Sequence, residues 1–140
     1  KMKIAVVYWS STGNTEAMAQ AVVEGAKHAG AEAELFTAAE FDGGKMDEFD
    51  AVAFGCPAMG AEELEDGEFA PMFETCESKL SGKKIALFGS YGWGDGEWMR
   101  TWEENCRDKG ANLVCDSVIC QETPDDEALS ACRSLGEALA

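Results

Sequence analysis

The sequence predicts a single α/β domain over residues 1–140, a doubly wound parallel sheet of five strands with helices on both faces. Short apolar runs recur along the chain, and the main ones are continuous rather than alternating, as in strands buried on both faces. Between most of them lie stretches whose apolar residues return at helical spacing. A length of 140 residues suits one hydrophobic core and is short for two.

Lys3 to Trp9 (KIAVVYW) is the first strand. From Asn14 to Ala29 a helix sets Met18, Ala21, Val22 and Gly25 on one face and ends at Gly30. Ala33 to Phe36 is a short second strand, Thr37 to Glu48 is irregular, and Ala51 to Gly55 (AVAFG) is the third strand. A helix over Glu68 to Lys79 leads to the fourth strand, Ile85 to Gly89 (IALFG). The helix from Glu97 to Lys109 gathers Trp98, Met99, Trp102 and Cys106 on one side. Leu113 to Ile119 is the fifth strand, and Pro124, at a first-turn position, opens a final helix to Leu139.

Composition narrows the function. Asp and Glu number 27 against 11 Lys and Arg, a formal charge of -16, which disfavours nucleic acid and anionic membrane surfaces and suits a basic protein partner. No apolar stretch is long enough for a membrane span or an export signal, so a cytoplasmic protein is expected. The six cysteines form no CxxC pair and several fall on apolar faces, which points to free thiols acting as small hydrophobes rather than to a metal site. His28 lies at the end of the first helix on its solvent side and receives no catalytic role.

In such a sheet ligands sit at the carboxyl ends of strands, so three loops matter: Ser10 to Thr15, Cys56 to Gly67 and Ser90 to Gly96. Ser10-Ser11-Thr12-Gly13-Asn14-Thr15 follows a buried strand and opens a helix, where free N–H groups and hydroxyls converge on an anion. It has neither the GxxxxGK[ST] lysine nor a GxGxxG fingerprint, which favours a terminal monophosphate held by neutral donors. Ser90-Tyr91-Gly92-Trp93-Gly94-Asp95-Gly96 interleaves aromatics with glycines, so the backbone can approach a planar ligand on which Trp93 stacks. Cys56-Pro57-Ala58-Met59-Gly60-Ala61-Glu62 offers Met59 as a soft cover, Gly60 as a hinge able to take positive φ, and Glu62 as an acceptor for a ring N–H.

Taken together, WSSTGNTE (Trp9 to Glu16), GCPAMGAEELED (Gly55 to Asp66) and GSYGWGDGEWM (Gly89 to Met99) resemble a short-chain flavodoxin of the anaerobic-bacterial kind over essentially the whole chain. The flavodoxin-like strand order 2-1-3-4-5, with FMN at the switch point, is a known property of that family and not a result of the patterns above. The resemblance implies an electron carrier, not an enzyme, with non-covalently bound FMN, cycling mainly between semiquinone and hydroquinone. It implies phosphate binding by Ser10, Ser11, Thr12, Gly13, Asn14 and Thr15, with Trp9 beside them. Trp93 and Met59 would sandwich the flavin ring, Glu62 would face ring N3, and Ser90 the ribityl chain. The backbone from Gly89 to Gly92 would approach the pyrimidine side, and in relatives the carbonyl matching Gly60 turns towards ring N5 on reduction. Pro57, Ala58, Ala61, Tyr91, Gly94, Asp95 and Gly96 complete the contact set. Two positions depart from the family pattern: Pro57 replaces a hydroxyl residue, and Ala61 an often polar one.

These residues also set the redox expectation. The acidic run Glu62, Glu63, Glu65, Asp66 and Glu68, with no Lys or Arg in the flavin loops, opposes formation of an anionic reduced ring. One like charge about 10 Å away costs roughly 1.7 kcal/mol at an effective dielectric of about 20, or about 70 mV for one electron. The same run would steer basic redox partners to a monomeric carrier, docking near Glu62 to Glu68. A resting type II turn would demand positive φ at Ala61, whereas the flipped turn demands it at Gly60, so Ala61 favours the flipped state. The alternative, a small reductase acting directly on a quinone or nitro substrate, needs a second pocket for which the chain has little room.

Overall fold

A computed structural model describes residues 1–140. Its strands are β1 (Lys3–Tyr8), β2 (Glu32–Thr37), β3 (Ala51–Gly55), β4 (Lys84–Tyr91), β5 (Asn112–Leu113) and β6 (Val118–Gln121). All pair in parallel in the order β2-β1-β3-β4, with β5 and β6 both on the far edge of β4. The continuous apolar runs end up in the middle of the sheet. Every residue of β3 is buried, as is β1 from Ile4 onward, whereas edge strand β2 exposes several of its side chains.

Helices α1 (Asn14–His28) and α5 (Asp126–Leu139) cover one face. Helices α2 (Gly43–Met46), α3 (Phe69–Cys76) and α4 (Glu97–Asp108) cover the other. Aromatic rings fill the second core: Phe54 meets Phe73 edge-on at 5.0 Å, and Trp102 meets Phe69 edge-on at 5.4 Å. The first core is closed by backbone contact. A Cβ at Gly25 of α1 would lie 1.9 Å from the Arg133 carbonyl oxygen of α5, and one at Gly136 would lie 2.1 Å from that of Val22. The expected helix faces hold, since Met18, Ala21, Val22 and Gly25 are buried, as are Trp98, Met99, Trp102 and Cys106. All six cysteines are free thiols, and four are buried; burial pushes the Cys56 thiol up to about 12.

The structure corrects the sequence reading at several points. The fifth strand is split: between Ile85↔Leu113 and Phe88↔Val118 the chain advances five residues while β4 advances three. The excess arches out over Val114 to Ser117, where Ser117 Oγ donates to Glu103 Oε2 at 2.6 Å. β4 runs on through Ser90 and Tyr91, which pair with Cys120 and Gln121, so two residues assigned to a loop belong to the sheet. Pro124 lies outside α5; Asp125 is the N-cap and accepts the Ala128 N–H at 2.8 Å. The helix expected over Glu68 to Lys79 ends at Cys76 and closes with a 3₁₀ turn over Glu77–Lys79. The irregular stretch after β2 holds a 3₁₀ turn, Ala38–Glu40, and α2.

Candidate functional site

β1 and β3 are neighbours, yet the chain leaves them to opposite sides of the sheet, one to α1 and the other towards α3. Such a reversal opens a crevice at the carboxyl ends. There Gly13 takes φ 94 as the N-cap of α1 with no side-chain cap, and a Cβ on it would meet nothing within 4 Å. Its N–H goes to Ser10 Oγ at 3.1 Å, and the Asn14 N–H to Thr12 Oγ1 at 3.4 Å. The N–H groups of Ser11, Thr12, Thr15 and Glu16 find no acceptor in the fold. Because Ser10 and Thr12 accept through their oxygens, their own O–H protons stay free to donate. The result is a donor-rich cradle without a cation, at the positive end of a 15-residue helix.

The cradle opens into a cleft of about 210 Å³ lined by Ser10, Ser11, Thr12, Asn14 and Thr15, by Pro57, Ala58 and Met59, and by Ser90, Tyr91, Gly92 and Glu122. Thr15 Oγ1 and Ser90 Oγ are buried together at 3.0 Å, locking the cradle to β4. Gly89 is a packing residue, since a Cβ there would sit 2.2 Å from the Cys56 carbonyl oxygen. Trp93 is 65% exposed at the tip of the next loop, a large flat apolar surface open beside the cleft. Trp9 leans away to the other side, donating from Nε1 to Glu68 Oε1 at 3.0 Å. Larger concavities exist, one of about 620 Å³ at the opposite end of β1 and one of about 610 Å³ beside α4, but neither joins the phosphate-type donors to the strand ends.

Residues 6–136 match the family model described as flavodoxin. The flavodoxin of Megasphaera elsdenii is 45% identical over 140 residues, covering 98% of each chain, and that of Clostridium beijerinckii 43% over 135 residues, covering 96% of this chain and 97% of the other. The chain belongs to the flavodoxin family. Among solved structures, that of two-electron reduced Megasphaera elsdenii flavodoxin superposes with a TM-score of 0.89 over 97% of both chains. As a flavodoxin this chain is an FMN-binding electron carrier rather than an enzyme, and the reductase reading is not favoured. Its residues fit that cofactor: the acceptorless N–H groups match a phosphate, and the exposed Trp93 indole, next in the chain to Gly92 of the cleft lining, offers a flat face to a ring.

The turn carrying Met59 differs from expectation. Met59 and Glu63 exchange N–H···O bonds at 2.8 and 2.9 Å, enclosing a three-residue loop, Gly60-Ala61-Glu62, instead of a two-residue turn. Gly60 takes φ 52, a positive φ of the kind expected at this position, and Ala61 stays out of the left-handed region. The left-handed conformation anticipated at Ala61 falls instead on Glu62, at φ 56, the last residue of the loop. The Glu62 carboxylate then reaches across to accept the Glu97 N–H at 3.1 Å, packing so near Gly94 that a Cβ there would lie 2.6 Å away. The turn after β3 is thereby tied to the loop after β4.

The acidic run of this flavodoxin is not one solvated patch. Glu65 is only 9% exposed and accepts the N–H groups of Gly67, Glu68 and Phe69 at 2.7–2.8 Å, capping α3. Burial raises its pKa, but the three donors outweigh that and hold the carboxyl below its usual range. Glu68 is engaged by Trp9, and Glu62 by Glu97, so only Glu63 and Asp66 keep carboxylates without a hydrogen-bond partner. Nor are the flavin loops without a cation: Arg100 grips Asp95 at 2.9 Å. Glu122, absent from the residues singled out by sequence, lines the cleft at φ 58 with its N–H on the Tyr91 carbonyl at 2.8 Å. Its place directly after the last strand was the available signal.

Proposed function

We propose that the residues 1–140 act as one domain that holds FMN by its phosphate in the Ser10 to Thr15 cradle and presents the ring between Met59 and Trp93. What carries this reading is the cluster of acceptorless N–H groups and free hydroxyls at the start of α1, with Ser10, Ser11, Thr12 and Thr15 lining the cleft. FMN supplies the one-electron redox chemistry; the chain binds, orients and tunes it. Ser90 serves the ribityl chain, and Gly60, already left-handed, can turn a backbone carbonyl to the ring edge without a Cβ penalty. Glu122 in the cleft lining and the acidic turn from Glu62 to Asp66 after Met59 put negative charge on the ring's side of the molecule and oppose its becoming an anion, so the carrier works on the lower of its two one-electron couples. Basic redox proteins dock at Glu63 and Asp66 on a carrier that is monomeric and cytoplasmic, the docking being supported by the formal charge of -16.

Comparing FMN with riboflavin tests the cradle. Several N–H and O–H bonds to a phosphate are each worth about 1.5–3 kcal/mol, so FMN should bind at least about 100-fold more tightly. Equal affinities would refute the assignment of residues 10–15.

A further inference from the structure

The loop bearing Trp93 is rich in glycine, with Gly94 at φ 89 and Gly96 at φ 95, and such a segment has many conformations to lose. No backbone-to-backbone hydrogen bond is made by Trp93, Gly94 or Asp95. On the near side the loop is anchored by Gln121 Nε2 donating to the Gly92 carbonyl at 3.2 Å, and on the far side by the Glu97 N–H on Glu62. Between these anchors the Gly96 carbonyl accepts the Met99 and Arg100 N–H groups of α4, and the two bonds that reach the Trp93–Asp95 stretch both come from one side chain. Arg100, one turn into α4, donates from Nη1 to the Asp95 carbonyl oxygen at 3.0 Å and from Nη2 to Asp95 Oδ1 at 2.9 Å. The guanidinium runs along Gly96, where a Cβ would stand in ordinary contact with Nη1 at 3.5 Å and tight against Ile119 Cδ1 at 3.0 Å.

We propose that Arg100 is a positioning residue for the flavin: its two-pronged grip on Asp95 fixes the Trp93 loop in the conformation that lets the indole cover the ring. The inference rests on the assignment of Trp93 as a ring cover. A planar fork reaching a main-chain and a side-chain oxygen of one residue defines that residue's orientation, which a lysine ammonium cannot do. The pair is largely exposed, with side-chain accessibilities of 60% and 78%, so it adds little to the stability of the fold. Its effect lies in holding the loop ready, which shows only when a ligand needs the loop in place.

The test measures FMN dissociation constants by quenching of flavin fluorescence for the full chain and for R100Q, R100K, W93A and R100Q/W93A, with urea midpoints of each flavin-free chain. R100Q is expected to weaken FMN about fivefold and R100K about threefold, with unfolding midpoints unmoved. In the W93A background R100Q should add nothing further. Wild-type affinity in R100Q, a loss from R100Q that persists in W93A, full rescue by R100K, or a loss matched by a lowered unfolding midpoint would each overturn the proposal. W93A alone reports on the ring-cover assignment, so failure of that reading is seen separately.

Discussion

Glu65 shows how much of a residue's role lies in its partners. In the sequence it is one of five carboxylates in a row; in the fold it is nearly buried and holds three backbone donors at the start of α3. Glu65→Ala is expected to cost about 2–3 kcal/mol, read by urea denaturation, since it leaves donors of a buried turn without a charged acceptor. Because the folded pKa is depressed, the ionised Glu65 stabilises above the unfolded carboxylate pKa of about 4.3, and that contribution is lost as pH falls through the folded value. The stability gap between wild type and Glu65→Gln should therefore be constant at neutral pH and shrink below about pH 4.5; a gap that widens there would contradict the capping role. Spacing along a chain reports charge, and only tertiary contact shows that Glu62, Glu65 and Glu68 each have an internal acceptor's task. The cradle residues were legible for the opposite reason: Ser10 to Thr15 act through their own local backbone, immediately after a buried strand.

At the scale of elements, the strands at the centre of the sheet were read closely because continuous burial on both faces leaves a continuous apolar run. Ala51–Gly55 was read to the residue. The fifth strand was read as one because Cys115, Val118 and Ile119 keep the run apolar, while the arch between β5 and β6 depends on register against β4. The contact between α1 and α5 was visible only as small residues on helical faces. Gly25 and Gly136 each allow a backbone of the other helix within reach, so alanine, which gains about 1 kcal/mol in helix propensity, should still lose about 1–3 kcal/mol net through overpacking. Thermal or urea denaturation of Gly136→Ala decides this, and an unchanged or raised midpoint would mean that the helices slide apart freely.

For the whole molecule, the charge of -16 acts on encounter more than on the fold. With Glu65 occupied in capping, the proposed docking of basic partners rests on Glu63 and Asp66, and Glu63→Gln with Asp66→Asn should slow electron transfer to a basic partner about threefold at low salt. The difference should vanish near 1 M salt, where the screening length is about 3 Å; a salt-independent loss would point to contact rather than steering. The central claim, that this cleft holds FMN and turns it into a one-electron carrier, is tested most directly by anaerobic reductive titration of the FMN-loaded chain followed in the visible spectrum. Two separated stages of one electron each, with a long-wavelength band rising and then falling, are expected. A single two-electron stage, or a chain that takes up no FMN, would contradict it.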